Sequence, residues 1–349
     1  MKSLEFKWFE SDWARLDAQR ARLPHALLIH GAPDIGKRAF ATHFAQSLLC
    51  TDRAPSGHPC GQCQACRWFE DGNHPDFRAL LPEYLQSGEA AAEAEEGAEP
   101  AGKSGKTKNP SREIKIEQVR ALDGFFNIGT HRGGARVILV YPADALNVPS
   151  SNALLKTLEE PAPETVFLLV TSHPDQVLPT IRSRAAQFAV TAPDPASCIE
   201  WLTQQGVAQA TERWAEAGGA PLAALRLGDE ESHQAERAEL LDALSLARLD
   251  PLRTAERCDK AGNENIALWL MRWVADVLRV SQTGSAPRFH PSHADAIRQC
   301  ASRTSAPALH GYYRKLAAAR RVASHPLNPR LFAEDLLIDY ARLMREARG

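Results

Sequence analysis

Apolar positions follow two regimes along the chain. Up to about residue 192, short apolar runs alternate with amphipathic stretches. Residues 25–31, HALLIHG, read as a short buried strand. The turn APDIG follows, then a helix from about Lys37 to Leu49 with Phe40, Phe44 and Leu48 on one face at helical spacing. Phe77 to Leu81 predicts another strand. Structure resumes at Ile114, and Val119 to Phe126 continue an amphipathic helix. RVILVY (136–141) reads as a buried strand and SSNALLKTLEE (150–160) as a helix stopping before Pro161. TVFLLVTS (165–172) is a further strand, LPTIRSR a short helix and AAQFAV (185–190) a last strand. Strands alternating with helices imply a parallel, doubly wound α/β sheet. After Pro193 and Pro195 the pattern is helical to the end, as in IALWLMRWVADVLRV (266–280) and LFAEDLLIDYARLM (331–344), so the C-terminal part is expected to be all-α.

Residues 83–112 break the pattern. They contain no Ile, Val, Phe, Trp or Met, with acidic residues in the first half and lysines in the second. Too little apolar surface is present to offset the conformational entropy of ordering, so a disordered surface insertion is expected. Its GKSGKTK superficially resembles a phosphate loop. The motif's first glycine falls on Pro100 and no apolar strand precedes it, so the match fails.

Composition narrows the class. At roughly 150 residues per domain, 349 residues predict two or three domains. A hydrophobic share of 44% and a charged share of 24% are ordinary for a soluble protein. A net charge of -2 excludes a uniformly basic nucleic-acid binder, though not a local basic patch. The N-terminus, MKSLEFKWFESDW, is charged throughout and unlike a secretory signal, and no uncharged apolar run nears the roughly 18 residues of a membrane span. A cytoplasmic protein without membrane contact is expected. Seven cysteines in a reducing compartment then point to metal or catalysis rather than disulfides.

Four motifs carry candidate chemistry. Gly31-Ala32-Pro33-Asp34-Ile35-Gly36-Lys37 keeps GxxxxGK between a strand and a helix. Glycines let backbone N–H groups face phosphate, the helix start adds positive potential and Lys37 adds a mobile charge. The next position normally carries the Ser or Thr hydroxyl that holds Mg²⁺; here it is Arg38, which cannot ligate a metal. The strand RVILVY should end in an acidic pair orienting Mg²⁺ and water, but Tyr141 and Pro142 stand there, and Asp144 comes three residues late. These two losses predict a vestigial phosphate loop at Gly31, Gly36 and Lys37, with doubtful ATP binding and no intrinsic ATPase. Cys50, Cys60, Cys63 and Cys66, spaced C-x9-C-x2-C-x2-C, suit a closed tetrahedral Zn²⁺ site of structural role, with His58 and His74 as alternative ligands. Cys198, Cys258 and Cys300 are read as packing residues. Ile181-Arg182-Ser183-Arg184 follows a strand ending Thr171-Ser172, and arginine's fork suits phosphate, either in trans on a neighbour or simply in a surface ion pair.

NALLKTLEEP (152–161), TSHPDQVLPTIRSR (171–184) and the cysteine quartet after the phosphate-loop helix together resemble the clamp-loader AAA+ family over most of residues 1–230. The damaged loop, the missing acidic pair and His74-Pro75-Asp76 resemble its non-motor branch. The resemblance implies a P-loop domain to about residue 191 with a zinc module near 50–66, a helical lid over 192–234 and a helical collar over 235–349 that assembles the ring. It implies a hetero-pentamer with motor subunits and a second non-motor subunit, acting on a sliding clamp and primed DNA. Arg184 would then be an arginine finger in trans. The family motif usually ends in Cys; Ala185 stands there. Leu222, in GGAPLAAL (218–225), replaces the motors' lid arginine. An active motor of the same loader and a stand-alone P-loop kinase or zinc enzyme are the competing readings.

Overall fold

A computed structural model describes residues 6–86, 110–127, 134–229, 233–246, 248–323, 325 and 327–346. The chain divides after Asp194 into two units.

The first unit holds a five-stranded sheet, β1 (Ala26–His30), β2 (Phe77–Leu80), β3 (Arg136–Val140), β4 (Thr165–Thr171) and β5 (Ala186–Ala189). Its order is β2-β3-β4-β1-β5 and every pairing is parallel. The inner strands are apolar without interruption because both faces are covered. Alternate residues segregate: Ala26, Leu28, Ile138, Val140, Phe167 and Leu169 join one core with Val119, Leu122, Leu154 and Leu158 of helices Ile116–Asn127 and Val148–Glu159. Helix Lys37–Leu49 packs on β3 and β4, burying Phe40 and Phe44, while Leu48 is only partly covered.

The middle of the expected insertion, 87–109 with GKSGKTK, lies outside the described residues. Its two described ends are tied together. Tyr84 N–H donates to the Ser111 carbonyl at 3.3 Å, Ser111 N–H to Glu83 at 3.0 Å, and Lys115 pairs with Glu83. The excursion therefore leaves and re-enters through a closed stem.

The second unit is helical, with no strand among its described residues. Helices Pro195–Gln204, Ala210–Glu216 and Pro221–Asp229 pack on one another. Helix Asn263–Thr283 runs through the centre of the rest, against helices Ala294–Ser302, Ala306–Val322 and Pro329–Glu346. Trp273 Nε1–H donates to the Tyr340 hydroxyl at 2.8 Å, and that hydroxyl in turn donates to Cys300 Sγ at 3.6 Å. Asp276, fully buried, accepts the backbone N–H groups of Arg288, Phe289 and His290, which fixes the loop after the central helix. No helix of the described residues is long and apolar enough to cross a membrane.

Candidate functional site

In a parallel sheet, ligands approach the carboxyl ends of the strands. The sheet order sets β1, β4 and β3 side by side, so their exits converge. Gly31 to Gly36 leaves β1 there. A Cβ on Gly36, at φ +95°, would lie 2.8 Å from the Phe6 ring, and one on Gly31 would meet the Val190 carbonyl at 3.0 Å. Both glycines are thus required by close approach. Trp8 Nε1–H donates to the Ile35 carbonyl at 3.0 Å, and Phe6 stacks on Trp8 with centroids 4.8 Å apart. This aromatic clamp on the loop has no short motif that could announce it.

Lys37 is buried, and its ammonium donates to the Ala32 carbonyl of its own loop and to Ser172 Oγ at 2.9 Å. Burial pulls its pKa down to about 8, against the opposing pull of Asp34 and Asp144. Asp144, three residues late by the motif's spacing, is brought back by the fold: the Thr171 hydroxyl donates to its carboxylate, and Thr171 Oγ1 accepts the His173 N–H at 2.9 Å. An acid in the turn after a buried strand is the one sequence signal for it.

The two positions that should organise Mg²⁺ meet each other. The Arg38 guanidinium carbon lies 5.6 Å from the centre of the Tyr141 ring. A permanent cation resting on an aromatic face stands between the loop and the end of β3. Burial raises the Tyr141 hydroxyl pKa, with Arg38 opposing, so the phenol stays neutral and offers no anionic ligand.

Cys50, Cys60, Cys63 and Cys66 converge, with all four sulfur atoms within 4.8 Å of one another. Sγ–Sγ separations are 3.6 Å for Cys50–Cys60, 3.8 Å for Cys50–Cys63 and 4.0 Å for Cys60–Cys66. A tetrahedron with metal–sulfur bonds of about 2.3 Å has edges of about 3.8 Å, so the donors fit a tetrahedral ion. N–H groups of Cys60, Gln62, Cys63 and Cys66 donate to sulfur at 3.3–3.4 Å, which favours thiolates. Burial raises the Cys63 thiol pKa, but hydrogen bonds from Thr51 and the Cys66 N–H outweigh it and bring it to about 5. Neither histidine joins the cluster. His74 Nδ1 accepts the Asp76 N–H at 3.1 Å, and His58 lies 3.0 Å from His43 and stacks on Trp13 at 4.2 Å. Trp13 Nε1–H also holds the Ser56 carbonyl, so the first helix grips the cysteine loop. Cys198, Cys258 and Cys300 are buried apart from the cluster.

Arg184 follows the short helix Pro179–Arg182. It pairs with Glu159 at 2.6 Å and donates to the Thr180 carbonyl at 3.0 Å. Its side chain remains 36% exposed. Ala185 is buried, and Leu222 is half-buried on helix Pro221–Asp229.

Comparison with known proteins adds kinship to this geometry. A family model described as DNA polymerase III, delta subunit, matches residues 12–194, and a second model, for the C-terminal part of the same delta subunit, matches 231–342. The DNA polymerase III subunit delta' of Pseudomonas aeruginosa is 34% identical, covering 80% of this chain and 78% of its own. That of Yersinia pestis is 31% identical over 90% of this chain and 88% of its own. A DNA polymerase III subunit tau/gamma of Haemophilus influenzae is 32% identical over 52% of this chain and 22% of its own. With family models on both units and relatives above 30% identity along most of its length, the chain belongs to the DNA polymerase III delta-prime family.

Proposed function

We propose that this chain is the non-hydrolysing, delta-prime-type subunit of a DNA polymerase III clamp loader. It serves in the cytoplasm as a component of a DNA-directed DNA polymerase holoenzyme. In a hetero-pentamer with gamma/tau motor subunits and delta, it helps place the sliding clamp on primed DNA, and it lends Arg184 in trans to a neighbour's ATP. Zn²⁺ held by Cys50, Cys60, Cys63 and Cys66 stiffens the module beside the phosphate loop. Residues 192–234 act as the lid and 235–349 as the ring-forming collar.

The observation that carries this reading is the Arg38–Tyr141 contact. Mg²⁺ in P-loop ATPases is held between the loop hydroxyl and the strand-end aspartate. Here a guanidinium and a phenol take those two positions. Placing a dication beside a fixed cation in a half-buried cleft is unfavourable, and neither side chain supplies an anionic oxygen. Gly31, Gly36 and Lys37 thus persist as a frame, with Lys37 turned onto its own loop.

The test is ATP turnover and Mg²⁺-dependent ATP binding by the purified chain. No turnover is expected, and no gain in nucleotide affinity on adding Mg²⁺. The double variant Arg38→Thr/Tyr141→Asp is expected to acquire Mg²⁺-dependent binding that neither single variant shows. Turnover by the native chain that Lys37→Ala abolishes would instead establish the motor reading.

A further inference from the structure

Four arginines of the second unit converge on one carboxylate. Arg213 and Glu216 lie on helix Ala210–Glu216, Arg237 on Gln234–Ser245, Arg272 on Asn263–Thr283 and Arg320 on Ala306–Val322. Glu216 Oε2 takes Arg237 at 2.7 Å and Arg213 at 3.2 Å. The Arg237 side chain is only 10% exposed, and its second terminal nitrogen, NH2, is buried with no hydrogen-bond acceptor.

Arg272 has no ion pair or hydrogen bond among the described residues. Its guanidinium lies 5.8 Å from the Phe289 ring centre, so part of its surroundings is apolar. Burial, then repulsion from Arg237 and Arg320, pulls its pKa down to about 10, with Glu216 opposing. It still carries full charge at neutral pH. The nearby acids Glu236 and Glu239 act on Cys258 instead. Four guanidinium groups therefore share one carboxylate, and an excess of positive charge is held where water is scarce. Such an arrangement costs stability unless an anion completes it.

We propose that Arg213, Arg237, Arg272 and Arg320 around Glu216 form a binding site for a phosphate-bearing oxyanion. A tetrahedral dianion suits the charge excess better than a single carboxylate. Its oxygens supply acceptors for the orphaned Arg237 nitrogen and for the fork of Arg272. Because the arginines come from four helices, the bound anion ties helix Ala210–Glu216 to the three longer helices behind it. The site owes nothing to the loader reading or to the phosphate loop.

The experiment uses the full chain with Lys37→Ala as background, so that the loop contributes nothing. Binding of inorganic phosphate is measured by calorimetry, and the thermal midpoint is compared with chloride at matched ionic strength. Saturable phosphate binding with a raised midpoint is expected. Arg272→Gln and Arg320→Gln should each weaken it roughly tenfold or more, as loss of a charge-assisted pair implies. Glu216→Gln, which removes the competing carboxylate, should tighten it. A short thymidine oligomer then separates the sources: displacement of phosphate assigns a phosphodiester ligand, and failure to displace it assigns the free anion. Arg320 is exposed, so its variant decides the matter if Arg272→Gln does not fold. Phosphate that stabilises no more than chloride, or binding unchanged in folded Arg320→Gln, overturns the proposal.

Discussion

Arg184 is parked, and the strength of its parking sets a measurable expectation. In the isolated chain its guanidinium meets Glu159 at 2.6 Å, with side chains 36% and 51% exposed. A pair so open to solvent is worth about 0.2–1 kcal/mol. An arginine finger supplied in trans is worth roughly 10³–10⁵ in turnover, or about 4–7 kcal/mol at 1.36 kcal/mol per tenfold. A neighbour's γ-phosphate thus outcompetes Glu159 with a wide margin. Two variants read the two magnitudes separately in a reconstituted loader. Arg184→Ala is expected to leave assembly intact, by size-exclusion chromatography, while cutting single-turnover hydrolysis at the site it serves about 10³-fold. Loss of steady-state turnover is capped by that site's share of the total. Glu159→Gln removes only the parking contact, so turnover should rise or hold within about fivefold, the equivalent of 1 kcal/mol. Unchanged single-turnover hydrolysis with Arg184→Ala refutes the finger. A tenfold loss with Glu159→Gln refutes the parking argument, because Glu159 would then be holding Arg184 in its working pose.

Three further outcomes follow from the geometry. One zinc per chain is expected by metal analysis, and Cys63→Ser or a strong chelator should remove it and lower the thermal midpoint; a metal-free chain of unchanged midpoint would count against the site. Tyr340→Phe leaves Trp273 Nε1–H buried without its acceptor and should cost about 1–3 kcal/mol in denaturant unfolding, with a value near zero as the contrary result. Burial, with His58 adding to it, holds the His43 pKa down to about 4, below its ordinary 6.5. The unfolded chain therefore takes up this proton first, so stability should be full above about pH 6.5 and fall as pH drops toward 4. His43→Gln should flatten that part of the profile between about pH 6.5 and 5.5, and an unchanged slope would contradict the assignment.

What the sequence alone determined is local. Strand and helix periods placed all five strands within a residue or two, because an apolar run between turn residues has few other ways to be buried. The phosphate loop and the cysteine spacing were legible for the same reason, since each lies within a short stretch whose geometry its own residues set. His58 and His74, open as ligands in the sequence, were assigned elsewhere only by the fold, through His43, Trp13 and the Asp76 N–H.

The tertiary structure decided every contact that joins distant segments. Lys37 and Ser172 stand 135 positions apart, yet the order β2-β3-β4-β1-β5 lays the ends of β1 and β4 together. The same order faces Arg38 with Tyr141, turning two separate losses into one cation resting on one ring. Glu159 under Arg184, the clamp of Phe6 and Trp8 on the loop, and the four arginines around Glu216 have no spacing rule to announce them. Periodicity reports which face of an element is buried. Which side chains of different elements meet is fixed only when the elements pack, and in this chain that packing made the chemistry of the site.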